Sequence, residues 1–395
     1  MKSPFLSAGA TAPDLPAPDP AARAHGERVV AHLRNAIADA GGAIPFARFM
    51  ELALYAPGLG YYSAGSRKLG AQGDFITAPE IAPLFSRTLA RAIVPLLDAL
   101  PDARLLEVGA GSGRMAADVL AELAAGDRHP DYAILERSAE LRERQQATLA
   151  EVGFAGQAEW LDALPAQFTG IVLANELLDA LPVHRVVWQE GELREAWVGW
   201  DQDAFVWRPG PLTDPRLAGR FAAIRKRVPD LPDPYISEIN LAAEDWIATL
   251  GERLGRGAIL LIDYGYGRAE FYHPQRREGT LTCHYRHHRH ADPFFLPGLQ
   301  DITAHVDFTA VADAALAAGL RVAGYTTQAH FLLGSGLPEL AGFSDDPREQ
   351  LETANQIRRL TLPQEMGETF KVMLLTRDLD VPLPGFALRD LRDRL

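Results

Sequence analysis

The sequence predicts an α/β protein built on a mostly parallel β-sheet, and three observations support this prediction. Short apolar runs of strand length recur, at 105–108, 131–136, 158–164 and 170–175, and helix-like stretches lie between the first three. A turn with three glycines follows the first run, and a helix rich in Ala, Leu and Val is predicted at 115–123. Acidic or amide residues follow the later runs, where open α/β sheets place their ligands.

The glycine turn is the strongest single signal for a binding site. Glycines let a backbone approach a ligand closely, and the N-terminus of the next helix offers unpaired N–H groups. A dinucleotide fingerprint is G-x-G-x-x-G, but here the pattern is E-x-G-x-G-x-G, and Arg114 stands where the third glycine would be. A glycine turn without a ligand is the alternative. The predicted binding residues are Glu107, Gly109, Ala110, Gly111, Ser112 and Gly113.

This pattern resembles the first motif of the class I S-adenosylmethionine (SAM) methyltransferases. In that family the turn lies under the methionine part of SAM, and the leading acid, here Glu107, orients the turn or reaches the amino group. The resemblance implies a Rossmann-like sheet, mostly parallel, whose last strand is antiparallel. We expect that last strand at 369–376.

Composition limits the class of protein. The 395 residues allow one large domain or two smaller ones, and 47% hydrophobic and 23% charged residues are ordinary for a soluble globular protein. The net charge of −13 argues against a general nucleic-acid or anionic-membrane binder. Cys283 is the single cysteine, and neither a membrane-spanning run nor a secretory signal is recognisable. We therefore expect a cytoplasmic protein.

Two further stretches are predicted to hold the adenosine part of a cofactor. Glu136 ends the second strand, where class I methyltransferases and dinucleotide enzymes place the acid that accepts from ribose hydroxyls; a solvated charge is the alternative. Its neighbour Arg137 is included in the predicted site. The family resemblance also puts Trp160, Asp162 and Ala163 near the adenine, although Trp160 is as well explained as core.

Polar residues at the ends of two later strands are candidates for catalysis. Glu176 and Asp179 follow the strand at 170–175, and Asn175 at the end of that strand is predicted to bind the cofactor. The three could equally be an N-cap and first-turn acids. If the methyl acceptor is an arginine, two carboxylates could grip its forked guanidinium. Glu176 is the best candidate, and Glu80 and Asp179 compete for the second place.

The strand at 257–263 ends at Asp263, which we expect to point toward the same cleft. The alternative is a buried acid that accepts hydrogen bonds from backbone N–H groups.

Several motifs in one order resemble the MidA-like family of SAM-dependent methyltransferases, over about residues 46–375. They are the tyrosine- and glycine-rich segments 55–63 and 70–80 and the stretches 175–182, 237–240, 261–265, 301–308 and 366–371. The resemblance implies a loop at 55–80 that covers the cofactor, with Thr77 and Pro79 in the site. Mitochondrial members assist assembly of respiratory complex I. The resemblance therefore implies a protein substrate, with symmetric dimethylation of an arginine ω-nitrogen as the reaction.

The predicted organisation follows from these assignments. A disordered tail at 1–20 precedes N-terminal helices and the covering loop at 21–100, and the SAM-binding core spans 101–182. An inserted cap at 183–255 is predicted to contain short strands and helices at 217–227 and 235–254. Its four tryptophans are predicted to form its core. The rest of the core spans 256–380, with a loop insertion at 264–308, and a tail occupies 381–395.

The loop insertion contains the cationic run 284–290, which has four histidines and two arginines. Its spacing matches no tetrahedral metal site, so no metal is predicted, and an acidic partner surface is the alternative.

We therefore predict a SAM-dependent protein methyltransferase, with a complex I subunit as one candidate substrate and a homodimer as a possible assembly. The alternatives are a non-catalytic assembly chaperone with a SAM fold and a nucleotide-dependent oxidoreductase, against which Arg114 already counts.

Overall fold

A computed structural model describes residues 15–63, 77–342 and 344–395, and the chain divides into two compact units. The first unit comprises the described residues up to 63 together with Asp179–Ala243 and Gly267–Asp307. The second unit comprises the described residues of 77–178 together with Glu244–Tyr266 and Phe308–Leu395. Most of the predicted tail, 1–14, and part of the predicted covering loop, 64–76, lie outside the described residues.

In chain order the helices are α1 (Pro20–Asp39), α2 (Phe46–Tyr55), α3 (Ala78–Ile81), α4 (Pro83–Ala99), α5 (Arg114–Ala125), α6 (Ala139–Glu151), α7 (Arg216–Arg227), α8 (Leu241–Arg253), α9 (Arg268–Phe271), α10 (Phe308–Ala317), α11 (Gln328–Gly334), α12 (Leu337–Ala341) and α13 (Pro347–Thr361). The strands are β1 (Ala43–Pro45), β2 (Arg104–Val108), β3 (Asp131–Leu135), β4 (Ala158–Leu161), β5 (Phe168–Asn175), β6 (His184–Gln189), β7 (Glu192–Asp201), β8 (Ala204–Gly210), β9 (Tyr235–Ile239), β10 (Leu254–Tyr266), β11 (Thr282–Tyr285), β12 (His288–His290), β13 (Asp301–Thr303), β14 (Val306–Asp307), β15 (Arg321–Thr327) and β16 (Phe370–Arg377).

The first unit is built on an antiparallel sheet in the order β1-β7-β6-β9, with β8 also paired to β7. Its core is aromatic: Phe49 packs edge-on against Phe205 and Phe294, with ring centroids 5.2 and 5.4 Å apart. Trp200 and Trp207 lie against this core as half-buried rings. Two of the four tryptophans that were predicted as core thus contribute to packing.

Three local predictions were wrong. The helix predicted over 235–254 begins only at Leu241, because 235–239 forms β9 and pairs with β6. The run 284–290, predicted as loop, contains the hairpin β11–β12, turned by Arg286 and His287 with positive φ. The segment after 380 is not a loose tail, since Leu383 and Leu391 are buried in the second unit. β9 and β11 are mostly buried strands paired within sheets, and Leu391 is buried although its neighbours in the sequence are polar.

The second unit contains a sheet in the order β15-β16-β10-β5-β2-β3-β4. Its central pairings, from β4 through β3, β2 and β5 to β10, are all parallel. β16 runs antiparallel to both of its neighbours, β10 and β15. The predicted α/β class and the antiparallel last strand are therefore confirmed, and that strand spans Phe370–Arg377.

Apolar side chains cover this sheet, as expected for parallel strands. Leu105, Leu173 and Leu260 are fully buried in one cluster with Leu89 of α4 and Val119 of α5. Among the described residues, the structure contains no helix with the length and apolarity needed to cross a bilayer.

Glu107 is a buried acid near the end of β2. One of its carboxylate oxygens, Oε2, accepts a hydrogen bond from the Tyr132 hydroxyl of β3, and Oε1 has no partner among the described residues. Burial raises the pKa of Glu107 from 4.5 to about 7, although the Tyr132 hydrogen bond opposes the shift. Folding therefore favours the protonated form of this side chain.

This shift predicts a pH-dependent contribution to stability. The stabilisation associated with protonated Glu107 is complete below pH 4.5 and is lost as the pH rises through about 7. Because Glu107→Gln removes this titration, its free energy of unfolding relative to wild type should increase by about 3 kcal/mol between pH 4.5 and pH 8. Urea denaturation at the two pH values measures the difference.

The matched control is Glu159→Gln, which removes a glutamate on β4 whose side chain is 55% exposed. For this variant the difference from wild type should change little between the two pH values. A Glu107→Gln difference that is equally flat would show that the burial of Glu107 does not perturb its titration.

Candidate functional site

One edge of the second-unit sheet gathers most of the predicted site residues. The parallel register sets Val108 of β2 opposite Leu135 of β3 and Ala174 of β5, and Leu135 opposite Leu161 of β4. The residue after each of these four ends is a predicted site residue. They are Gly109, Glu136, Asp162 and Asn175.

The glycine turn connects β2 to α5 in a conformation that requires glycine. Gly109, Gly111 and Gly113 have φ values of 74°, 54° and 83°. A Cβ on Gly113 would lie 2.9 Å from Cα of Gln145 in α6, so the turn and this helix are in close contact. The Thr148 hydroxyl of α6 also donates to the Ser112 carbonyl oxygen at 2.8 Å. The turn is therefore held in place by α6.

Glu80 is bound to the same turn. The Ser112 hydroxyl donates to Oε1 of Glu80, which lies in the short helix α3. Thr77 precedes that helix in an extended conformation, and Pro79 within it is buried. The structure thus brings Glu80 to the cofactor turn, and an assignment of Glu80 to catalysis stays a prediction.

Glu136 is fixed from two sides but remains partly exposed. Its Oε1 accepts from the main-chain N–H of Ser138 at 2.8 Å, and its Oε2 accepts from Nε2 of Gln145 at 3.2 Å. Each carboxylate oxygen has two lone pairs, so two positions stay available for ribose hydroxyls. The side chain of the neighbouring Arg137 is exposed.

The residues predicted around the adenine are more loosely arranged. The Asp162 side chain is 87% exposed and accepts from Arg142 at 2.6 Å, and Ala163 is exposed as well. Trp160 is half-buried, and its ring N–H donates to Oε1 of Gln145 at 2.9 Å. Trp160 thus combines core packing with a polar contact to the site.

The end of β5 has a strained backbone. Glu176 adopts φ +48°, which non-glycine residues rarely do, and its N–H donates to the Ile262 carbonyl oxygen of β10 at 2.9 Å. Its Oε1 accepts from the amide of Asn175 at 3.2 Å and lies 3.4 Å from the N–H of Ala78, the first residue of α3. The carboxylate is therefore held at the sheet edge while its side chain is partly exposed.

The contacts of Asp263 are those of the alternative interpretation, a buried acid that accepts hydrogen bonds from main-chain N–H groups. It is almost fully buried, and its two carboxylate oxygens accept from the N–H groups of Leu178 and Tyr264, both at 2.9 Å. Asp179 lies in the first unit, where it is buried and its carbonyl oxygen accepts from the N–H of Ala304 at 3.0 Å.

The histidine-rich hairpin lies in the first unit and has no arrangement suited to a metal. Burial, with the positive charge of Arg289, lowers the pKa of His284 to about 4. His287 and His288 are exposed at the turn. In the parts of the chain that the structure describes, no group of three or more His, Cys, Asp or Glu could hold a metal ion.

Sequence reasoning missed Gln145, Tyr132 and Arg142. Gln145 is fully buried although α6 is otherwise polar, and Leu149 is the only other buried residue that this helix contributes. The i, i+4 spacing of these two residues is a faint signal for the inner face of α6. Nothing in the sequence around Gln145 indicates that its amide faces three separate site segments.

The residues present fit a cofactor with both amino and hydroxyl groups. Two buried acceptors at the sheet edge, Oε1 of Glu107 and Oδ1 of Asn175, have no hydrogen-bond partner among the described residues. Buried acceptors normally find donors, and the ammonium and hydroxyl groups of SAM are donors. The partly exposed Glu136 adds an acceptor-only group one strand away.

Comparison with known proteins supports the same conclusion. A family model described as "Putative S-adenosyl-L-methionine-dependent methyltransferase" matches residues 88–326. A relative from Rattus norvegicus, named mitochondrial protein arginine methyltransferase NDUFAF7, is 31% identical over 90% of this chain and 86% of its own length. The Drosophila melanogaster homologue is 28% identical over 88% and 86%.

Solved structures agree in fold and in cofactor. A crystal structure of a Burkholderia thailandensis protein bound to S-adenosyl-homocysteine (SAH) is 46% identical, covers 96% of this chain and all of that one, and has a TM-score of 0.92. A second structure from that organism is 45% identical, with the same coverage and a TM-score of 0.89. The chain therefore belongs to the MidA-like family of class I SAM-dependent methyltransferases, and SAM is its cofactor.

Proposed function

We propose that this methyltransferase modifies an arginine ω-nitrogen of a protein substrate and that the product is symmetric dimethylarginine. The observation that carries the proposal is the Glu176 carboxylate, which is fixed at the sheet edge yet partly exposed. The relatives named protein arginine methyltransferases add support for the substrate class.

The residues that would hold SAM are those at the carboxyl ends of the parallel strands. Glu107 and Asn175 offer buried acceptors, the turn at 109–113 offers close backbone approach, and Glu136 offers a carboxylate for the ribose. When bound, SAM supplies an electrophilic methyl group on a sulfonium. We keep Arg137, Asp162 and Ala163 as candidate contacts to the adenosine part.

Glu176 suits the task of orienting a guanidinium. An arginine side chain remains charged at any physiological pH, and a carboxylate that accepts from its N–H groups fixes the fork and concentrates electron density on one nitrogen. Glu80 and Asp179 remain the candidates for a second carboxylate. We propose a positioning role for Asp263, because one of its oxygens accepts from the main-chain N–H of Leu178, two residues after Glu176, and the other accepts from the N–H of Tyr264.

The physiological partner is the least constrained part of the proposal. The mitochondrial members of the family suggest a subunit of respiratory complex I, or a homologous respiratory subunit, as the methylated protein. A cytoplasmic location and a homodimer stay predictions.

A substitution in the glycine turn tests the SAM site. Gly111→Val should abolish SAM binding measured by calorimetry, because a β-branched residue does not adopt φ +54° and its side chain would occupy space beside the turn. The control is Gly153→Val, which carries a comparable strain at φ +85° with no atom within 4 Å of the added Cβ. Gly153→Val should bind SAM like wild type, whereas unchanged affinity in Gly111→Val would remove the turn from the site.

Transfer of a radiolabelled methyl group tests the proposed reaction. Radiolabelled SAM and the purified protein, added to a lysate from a deletion strain, should label a protein band that contains symmetric dimethylarginine by mass spectrometry. Glu176→Gln should reduce the labelling about a hundredfold or more while leaving SAM affinity within a few fold, because it removes the charge that orients the acceptor.

The matched control is Glu140→Gln, which removes an exposed glutamate in the first turn of α6. This variant should label the substrate like wild type. SAM binding without any labelled protein would favour the assembly chaperone. Label on a residue other than arginine would overturn the proposed acceptor but not the enzyme class.

A further inference from the structure

We infer that Gln145 is a positioning residue that orients the ribose-binding carboxylate of Glu136. Through this orientation it determines how strongly the site prefers a ribose with intact hydroxyls. The inference rests on the proposed SAM site, in which Glu136 accepts from the ribose. Gln145 is fully buried in α6, and no predicted site residue lies on that helix.

The amide of Gln145 connects three segments that meet at the sheet edge. Its Nε2 donates to the Gly111 carbonyl oxygen at 3.1 Å and to Oε2 of Glu136 at 3.2 Å. Its Oε1 accepts from the indole N–H of Trp160 at 2.9 Å. The glycine turn, the acid after β3 and the aromatic residue of β4 are thus held by one side chain.

Only an amide of this length satisfies all three partners. Two of them, the Gly111 carbonyl and the Glu136 carboxylate, are acceptors and need donors, while Trp160 is a donor and needs an acceptor. A carboxylate at position 145 would face two acceptors, and an apolar side chain would leave all three groups without their partner. Of the three hydrogen bonds, the one to Oε2 of Glu136 is the one that orients the proposed ribose-binding carboxylate.

The consequence concerns Glu136. The Ser138 N–H holds one carboxylate oxygen and Gln145 holds the other, so the rotamer is fixed before a ligand arrives. Pre-orientation lowers the entropic cost of binding. Removal of Gln145 should therefore weaken the contribution of Glu136 to binding, in addition to any general loosening of the turn.

The experiment is a double-mutant cycle on SAH binding by calorimetry, with Gln145→Met and Glu136→Ala alone and combined. Gln145→Met should weaken SAH binding about tenfold to a hundredfold in the wild-type background, and only a few fold when Glu136 is already alanine. Thr148→Val is the control: it removes another hydrogen bond from α6 to the turn without touching Glu136. Its effect should be equal in both backgrounds.

A second measurement separates positioning from packing. Wild type should bind SAH more tightly than the 2′-deoxy and 3′-deoxy analogues, and Gln145→Met should lose most of that discrimination, whereas general damage to the turn would weaken all three ligands equally. If Gln145→Met fails to fold, Gln145→Glu keeps the length and the acceptor for Trp160. It should show the same loss of discrimination through repulsion of Glu136.

The outcomes distinguish this inference from the proposal on which it rests. Additive effects of the two substitutions, with discrimination retained, would mean that Gln145 only packs, and would overturn the inference alone. Wild-type SAH affinity in Glu136→Ala would overturn the inference together with the assignment of Glu136 to the ribose.

Discussion

Parallel strand pairing in the second unit determines where the polar groups of the site lie. Val108, Leu135, Leu161 and Ala174 occupy one row of the ladder, so the residues that follow them leave the sheet at the same edge. A slip of one residue would turn every side chain of a strand to the opposite face. The buried apolar residues of β2, β5 and β10 resist such a slip, and the register thus holds the site together.

Many hydrogen-bond acceptors lie at the carboxyl ends of these strands, above an apolar sheet, and each needs a donor. Main-chain N–H groups and side-chain amides supply most of the donors. Asp263 accepts from two main-chain N–H groups, Glu136 from one N–H and one amide, and Glu107 from a tyrosine hydroxyl. The ammonium and hydroxyl groups of SAM are donors that suit a site rich in acceptors.

The sequence predicted the fold well because the signals were local. The apolar runs and the glycine turn depend on a few neighbouring residues, and the structure has a strand at each run and a glycine turn after β2; the strand predicted to end at Asp263 continues to Tyr266. Gln145 was missed because its role depends on three contacts far apart in the chain. The hairpin at 282–290 was missed because its charged residues hid the alternation that buries Cys283 and Tyr285. Assignments that need two distant segments, such as a second carboxylate beside Glu176, lie beyond local patterns.

The two acids at the β5 and β10 ends illustrate how neighbouring carboxylates can differ in role. A positive φ at a residue such as Glu176 costs about 1 kcal/mol or more, so the surroundings must impose it. The N–H of Glu176 donates to Ile262, and Asp263 accepts from the N–H of Leu178, two residues further on. These contacts fix the backbone on both sides of Glu176. Buried Asp263 thus supports the turn that holds the partly exposed Glu176. For this reason the contact with the methyl acceptor is proposed for Glu176 and not for Asp263.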